Sequence, residues 1–427
     1  MKNISKLSTE SYKGVRDFYP EDLFVQKLIF STWRKVAEQF GYIEYNASVL
    51  EPAELYKAKT GDEIVNEQTY TFTDRGEREV TLRPEMTPTV ARMVAGKQHD
   101  LTFPLRWYSI PNLFRYEKPQ KGRLREHWQL NVDIFGAESV EADIEIITIA
   151  HQIMKNFGAK DTDFVIKINN RKIINALYHK FDLNEETSYK VSKIIDKKNK
   201  ISASGFEEAL TELMGEKAQE FIVLLNSNEK LIEFFESDNK LTIELGNLLD
   251  ELAGFGIGNA VFDPTLMRGF DYYTGMVFEV FDLHPDNNRS VFGGGRYDDL
   301  LDIFGARKIP AVGFGAGDVT MQDFLVTHDL MPKYKTQIQL QICITDKKYL
   351  KEASVLANTL REKDLNVALD LSGKKLGDQL KIANKQNIPF VICVGEDEIK
   401  SKLYGVKNME TGKEKKVGVD EIASNLK

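Results

Sequence analysis

Across 427 residues, 57 Lys and Arg stand against 65 Asp and Glu, a net charge of −8, with 42% hydrophobic and 29% charged residues. No apolar run approaches the roughly 20 residues of a membrane helix, and the charge balance does not announce a chain that binds nucleic acid by bulk electrostatics. The composition instead predicts a soluble globular protein of two or three domains. The opening stretch MKNISKLSTESYKG has no apolar segment of the kind a signal peptide needs. Cys343 and Cys393 sit in separate short apolar runs, so buried thiols in a reducing cytoplasm are expected, and a disulfide is open only if those runs are neighbours. The six histidines show no metal-ligand spacing, and no Cys pair suggests zinc.

In chain order, Gly14-Val15-Arg16-Asp17 marks a turn-rich start. Glu21-Asp22 then open a helix, with acids where the helix dipole favours them. Phe24, Leu28, Trp33, Val36, Ala37 and Phe40 give it an apolar face, and Gly41 ends it. Residues 42–54 read as a strand interrupted by Pro52. Two short strands, 68–73 and 79–83, flank a hairpin turn at Asp74-Arg75-Gly76. Residues 86–98 read as a helix with Val90, Met93 and Val94 inward and Arg92 outward. Glu85 and Thr87 fall at the strand-to-helix junction, where capping and ligand binding are both open to Thr87.

The stretch 105–136 organises the chain. Two runs rich in aromatic and β-branched residues, 107–116 and 128–135, flank a loop carrying Lys118, Pro119, Lys121, Gly122, Arg123 and Arg125. This predicts a long antiparallel hairpin with a cationic tip. In the second run Trp128, Leu130, Val132 and Ile134 alternate with His127, Gln129, Asn131, Asp133 and Phe135, so one face is apolar and the other mostly polar. Arg115 and Glu117, two apart, point to one face and could line a floor with Gln129 and Asp133. An anion-binding floor and a solvated sheet face both fit the residues alone.

Residues 137–157 form a helix with acids at its start, and 162–168 a strand. From 169 to 254 the pattern is nearly all helical, with a basic run at 190–200 that fits a solvated helix face better than a contact with nucleic acid. Strands return over 261–282, and Asp286-Asn287-Asn288 make a turn. Gly293-Gly294-Gly295 lets the backbone pass close to a ligand or a neighbouring strand. There is no P-loop sequence, so an ATP site must be of another kind. Residues 310–315 read as a buried strand and 318–328 as a helix, followed by a linker at 330–335. Beyond it, strands at 339–345, 367–369, 389–394 and 403–408 alternate with helices at 348–363 and 376–387, which predicts an α/β domain with a largely parallel sheet. From Lys335 onward, 17 Lys and Arg against 13 Asp and Glu give +4, so the remainder carries −12. A mildly basic domain could meet RNA phosphates.

Four stretches carry a family resemblance. Phe114-Arg115-Tyr116-Glu117 resembles motif 2 of the class II aminoacyl-tRNA synthetases. Leu82-Arg83-Pro84-Glu85-Met86-Thr87, Arg268-Gly269-Phe270-Asp271-Tyr272-Tyr273 and Gly294-Gly295-Arg296-Tyr297-Asp298 resemble segments of histidyl-tRNA synthetases, in that family's order, and the likeness runs from Gly14 to the C-terminus. The resemblance implies an α+β catalytic domain over 1–330, with an antiparallel sheet and a helical insertion at about 170–255, and an α/β anticodon-binding domain over 331–427. It implies a cytoplasmic homodimer, joined through the first helix and strand, with tRNA-His, L-histidine, ATP and Mg²⁺ as partners. The reaction would activate histidine as histidyl-adenylate and pass it to tRNA. Arg115 and Arg268 would be the catalytic cations at the α-phosphate. Glu85, Met86, Thr87, Arg115, Gln129, Asp133, Arg268, Tyr272 and Tyr273 would bind histidine, with Asp133 and Tyr273 on the ring. Glu117 would meet adenine, Arg123 the γ-phosphate, and Gly317 the nucleotide. Gln120 would touch the first pair of the tRNA acceptor stem. No metal ligands can be named. Polar readout of imidazole leaves wrong ligands facing unpaired groups, and no segment is left over for editing.

One departure stands out. The class II motif 3 ends Gly-x-Glu-Arg, whereas this chain reads Gly317-Asp318-Val319-Thr320. That keeps open a non-catalytic histidine-binding paralogue that regulates ATP phosphoribosyltransferase. Arg115, Glu117, Arg268 and a full C-terminal domain argue against it, and the RGFDYY stretch argues against a prolyl or threonyl enzyme.

Overall fold

The computed structural model describes residues 7–57, 68–235, 239–267 and 272–426. The chain separates into two compact units, Met1–Pro332 and Lys333–Lys427. Arg268, the second expected catalytic cation, lies outside the described residues.

In the first unit, α1 (Pro20–Gln39) starts on Pro20 with Glu21 and Asp22 in its first turn, and it buries Ile29, Trp33, Val36 and Ala37. Phe24, Leu28 and Phe40 are only half-buried, so the helix is rotated slightly from the expected face. The expected strand at 42–54 is two short strands, β1 (Ile43–Glu44) and β2 (Leu50–Pro52), followed by a single turn, α2 (Glu54–Lys57). Pro52 is tolerated because β2 lies at the edge of a three-stranded sheet with β3 (Tyr70–Thr73) and β4 (Glu79–Leu82), in the order β2-β4-β3. Helix α3 (Thr87–Lys97) follows β4. Its Arg92 is not simply outward, since it pairs with the buried Glu51 at 2.7 Å.

The hairpin forms, but its first arm is two strands, β5 (Leu105–Ser109) and β6 (Asn112–Phe114), opposite one continuous β7 (Glu126–Phe135). Pro111 has no N–H to give the ladder and breaks the arm; its carbonyl still accepts the Gln129 N–H at 3.1 Å. After α4 (Val140–Asn156) and β8 (Phe164–Asn170) come the helices of the insertion, between Arg171 and Gly254. The chain then returns through β9 (Ala260–Phe262), β10 (Met276–Asp282), β11 (Ser290–Arg296) and β12 (Ala311–Gly317) into helix Asp318–Thr327. Among the described residues these strands form one sheet in the order β1-β5-β7-β12-β11-β10-β8-β9, with β6 also on β7. The sheet is antiparallel except at its two ends, where β1 pairs β5 and β8 pairs β9 in parallel.

The two faces of β7 meet different surroundings. Leu130, Val132 and Ile134 join the main core with Ile29 and Trp33 of α1 and Ile146 and Ile153 of α4. Phe135, on the other face, joins a smaller cluster with Val90 and Val94 of α3, Tyr272 and Tyr297. The polar residues of that second face therefore look into a space walled by α3 and the 272–273 segment.

The second unit is a five-stranded sheet with its own core. Its strands are β13 (Leu340–Ile344), β14 (Val367–Leu369), β15 (Phe390–Val394), β16 (Leu403–Asn408) and β17 (Glu414–Gly418), in the order β14-β13-β15-β16-β17. Only the pairings of β13 with β14 and β15 are parallel. The last two pairings are antiparallel, because a six-residue helix, Glu396–Ser401, is followed by a simple hairpin. Cys343 and Cys393 are register partners on adjacent strands, and both are free thiols. Cys343 is buried as expected, and burial pushes its thiol up to about 12; Cys393 is half-buried. No helix of the described residues is long and apolar enough to cross a membrane.

Candidate active site

The polar face of β7 is the floor of a cavity containing about 370 Å³ of non-atom space, its solvent mouth included. Glu85, Thr87, Arg115, Gln129, Asp133, Tyr272 and Tyr273 all line it, so most of the expected site residues converge. Gln129 and Asp133 are four residues apart on a strand that rises about 3.4 Å per residue, which spaces them by about 13 Å.

Glycines on the neighbouring strand make this possible. In register, Gly313 stands opposite Asp133 and Gly317 opposite Gln129. A Cβ at Gly313 would collide with Asp133 Oδ1 and with the Val132 carbonyl at 2.5 Å, and one at Gly315 would collide with the Gln129 amide. The two polar side chains thus lie across a bare backbone.

Asp133 is buried. Its Oδ1 accepts a hydrogen bond from the Tyr297 hydroxyl. Its Oδ2 is buried and has no hydrogen-bond partner among the described residues. Burial raises this carboxyl to about 7, against the opposing pull of the Tyr297 hydrogen bond. A buried acceptor without a donor costs roughly 1–3 kcal/mol, so the floor is poised for a donor from a ligand.

Glu85 is likewise buried and accepts from the Tyr272 hydroxyl at 3.4 Å. Thr87 is the first residue of α3; the N-cap is Met86 and no side chain caps that end, so the capping role is not taken up. The Met86 side chain is fully buried and does not line the cavity. Tyr272 and Tyr273 are not on a strand, as expected, but in the turn before β10, which lets both rings reach the cavity at 5.0 Å from one another.

Arg115 leaves β6 and lines the cavity, its Nε donating to the Pro84 carbonyl at 2.9 Å. Glu117 stands beside it at 4.0 Å and also pairs with Arg123 at 3.5 Å, but it lies outside the cavity lining. The expected four-residue floor is therefore three residues plus a flanking carboxylate. On the same face of β7, burial and the nearby Arg115 and Arg16 cations push His127 down to about 3, so it is neutral. Gln120 is exposed at the hairpin tip, where its backbone pairs with that of Arg123.

Gly317 ends β12 and N-caps the following helix, and it does not line the cavity. Asp318 after it is structural: one oxygen accepts the Trp128 N–H at 2.9 Å and the other pairs with Arg16 at 2.7 Å. Thr320, where motif 3 has its Arg, donates to the Val291 carbonyl at 2.6 Å and so turns to the sheet. Arg296 is structural too, bound to Asp143 at 2.9 Å and to the carbonyls of Ala137 and Ser139.

Asn131, Tyr297, Gly313 and Gly315 also line the cavity and were not singled out as site residues. Asn131 was visible in the β7 alternation. Tyr297 and the glycines matter only through cross-strand register, which local sequence does not carry. Among the described residues no group of three His, Cys, Asp or Glu is arranged to hold a metal ion.

Among the described residues the cavity thus offers one cation, Arg115, and two carboxylates, Glu85 and Asp133, around a ring of phenols. A zwitterion with a nitrogen-bearing side chain complements it.

Comparison with known proteins agrees with this chemistry. A family model described as "Histidyl-tRNA synthetase" matches residues 14–318, and one described as "Anticodon binding domain" matches 339–427. A histidine–tRNA ligase from Leptospira biflexa is 42% identical over 410 residues, covering 95% of this chain and 94% of that protein. Histidyl-tRNA synthetase from Nostoc sp. PCC 7120 has a similar fold, with a TM-score of 0.83, 24% identity and 99% of each chain covered. A structure named as an ATP phosphoribosyltransferase regulatory subunit/histidyl-tRNA synthetase from Bacillus halodurans has a TM-score of 0.75 and 26% identity, covering 91% of this chain and 99% of that one.

Proposed function

This chain belongs to the histidyl-tRNA synthetase family, and on that footing we propose that its cavity grips histidine by all three of the amino acid's ionisable groups. The chain is an ATP-dependent aminoacyl-tRNA synthetase that joins histidine to tRNA. The regulatory paralogue is not favoured, because the 42% identical ligase is matched over 94% of its length, C-terminal domain included.

The observation that carries the binding mode is the buried Oδ2 of Asp133 on the cavity floor, which has no hydrogen-bond partner among the described residues. An imidazole N–H is the donor it lacks, and Tyr273 closes over the ring. Glu85, Thr87 and Gln129 take the α-amino group. Arg115 takes the α-carboxylate and holds it in line with the α-phosphate of ATP. In the first step that carboxylate attacks phosphorus and pyrophosphate leaves. In the second, a ribose hydroxyl of tRNA attacks the acyl carbon and AMP leaves. Such transfers need positioning and charge neutralisation rather than a protein nucleophile. Arg115 and Arg268 supply the neutralisation, Glu117 meets adenine, and Arg123 meets the γ-phosphate. Mg²⁺ bound with ATP would supply further charge neutralisation at the phosphates.

Residues 1–330 are the catalytic domain, and residues from 331 onward read the anticodon. Dimerisation runs through α1 and the strands after it, where Ile43 at 67% and Leu50 at 45% exposure leave apolar surface. A cytoplasmic location fits free thiols. Arg115→Ala tests the catalytic assignment. Histidine-dependent ATP–pyrophosphate exchange should fall by roughly 10²–10³, and a well-folded variant with near-normal exchange would remove Arg115 from this role.

A further inference from the structure

Arg289, just before β11, belongs to none of the groups above, yet its guanidinium touches the hairpin tip. Its Nη1 donates to the Lys121 carbonyl at 2.9 Å. In the other direction, Lys121 Nζ reaches the Asp286 carbonyl at 3.3 Å. Gly122, between Lys121 and Arg123, has φ +76°, and a Cβ there would collide with Arg289 Nη1. The tip is therefore bare where the guanidinium seats, and its left-handed backbone suits glycine.

The guanidinium is itself held from behind. Nε donates to Asn287 Oδ1 at 2.8 Å and Nη2 pairs with Asp323 at 2.9 Å. Asn287 is buried and donates to Asp282 Oδ2 at 2.7 Å, while the other Asp282 oxygen is bonded to His328 at 2.8 Å and to the His284 N–H at 2.8 Å. Asp323 and the helix that carries it continue directly from Gly317 and Asp318. One planar cation thus ties the β10–β11 loop, that helix and the hairpin tip together, a three-way fork that a lysine cannot reproduce.

We propose that Arg289 is a positioning residue that latches the hairpin tip and so presents Arg123 to the nucleotide; this rests on the reading of the hairpin as an ATP-contacting loop. The latch lowers the cost of ordering the loop when ATP arrives, so it acts on ATP binding rather than on histidine or on the chemical step.

The test uses the full-length protein in histidine-dependent pyrophosphate exchange, with hydrogen exchange of the amides at 118–125 measured in parallel. Arg289→Ala should speed exchange at the Gln120–Arg123 backbone pair and raise the KM for ATP by about tenfold. The KM for histidine and kcat should stay within about twofold. Arg289→Lys should behave like the alanine variant. If Arg289→Ala does not fold, Asp323→Asn loosens the same fork from its other end, with a smaller rise in the KM for ATP. Unchanged amide exchange, or equal losses for ATP and histidine, overturns the latch. Arg123→Ala separates the two ideas. If it leaves the KM for ATP at the wild-type value, the ATP reading of the hairpin fails, whatever Arg289 does.

Discussion

Asp133→Asn keeps the shape of the side chain but fixes it as neutral. The carboxyl is raised by burial from 3.8 to about 7. At 1.36 kcal/mol per pH unit, that interval is worth roughly 4 kcal/mol. The sign follows from proton binding: between about pH 4 and 7 the folded protein keeps the proton and the unfolded chain does not. Stability therefore falls as pH rises through that window and levels off above it. The variant has no such group, so the two proteins should match within about 1 kcal/mol at pH 4, while at pH 8 the variant should be the more stable by up to roughly 4 kcal/mol. Urea unfolding followed by tryptophan fluorescence measures this. Trp33, Trp107 and Trp128 are the three tryptophans, and all lie in the first unit, so the signal reports on the unit that contains the site. The same variant should lose histidine-dependent pyrophosphate exchange, because an amide presents a donor as readily as an acceptor to the ring. Identical pH dependence in both proteins would mean that Asp133 does not titrate in this range. Undiminished exchange would take it out of the histidine site.

Arg268→Ala should abolish most histidine activation, by roughly 10²–10³ in rate, with the melting temperature unchanged; near-normal adenylate formation would reassign that cation. A chain ending at Pro332 should still form histidyl-adenylate but charge tRNA poorly, and an unchanged kcat/KM for tRNA would refute the anticodon role of the second unit. Gln120→Ala should leave pyrophosphate exchange intact and weaken charging, more so for tRNA bearing an additional 5′ guanosine, by roughly 1–3 kcal/mol of discrimination. Equal losses on both tRNAs would show that Gln120 reads no base.

The hairpin was the most legible part of the chain because its signal is local. The alternation along β7 separates core from floor, and by itself it places Gln129 and Asp133 on the cavity side. What the alternation does not carry is register. Tyr297 meets Asp133 from 164 residues away, and Gly313 clears space for it only because β12 pairs with β7 at that one offset. The hairpin's first arm was over-read as continuous because aromatic density outweighed Pro111. Strand β17 was missed for the opposite reason: Glu414-Lys415-Lys416 are exposed and offer no apolar period, so the strand exists through its pairing with β16. The motif 3 departure also makes sense only in three dimensions, where Asp318 pins Arg16 and the Trp128 backbone while Thr320 bonds to β11.

The most direct test is ATP–pyrophosphate exchange driven by each amino acid in turn, with the intact protein and no tRNA. Histidine alone should support exchange, since its compact imidazole offers a ring N–H to the Asp133 oxygen that has no hydrogen-bond partner among the described residues, while the same ring keeps an acceptor nitrogen that indole lacks. Exchange driven by another amino acid, or by none, would show that the cavity does not select and activate histidine.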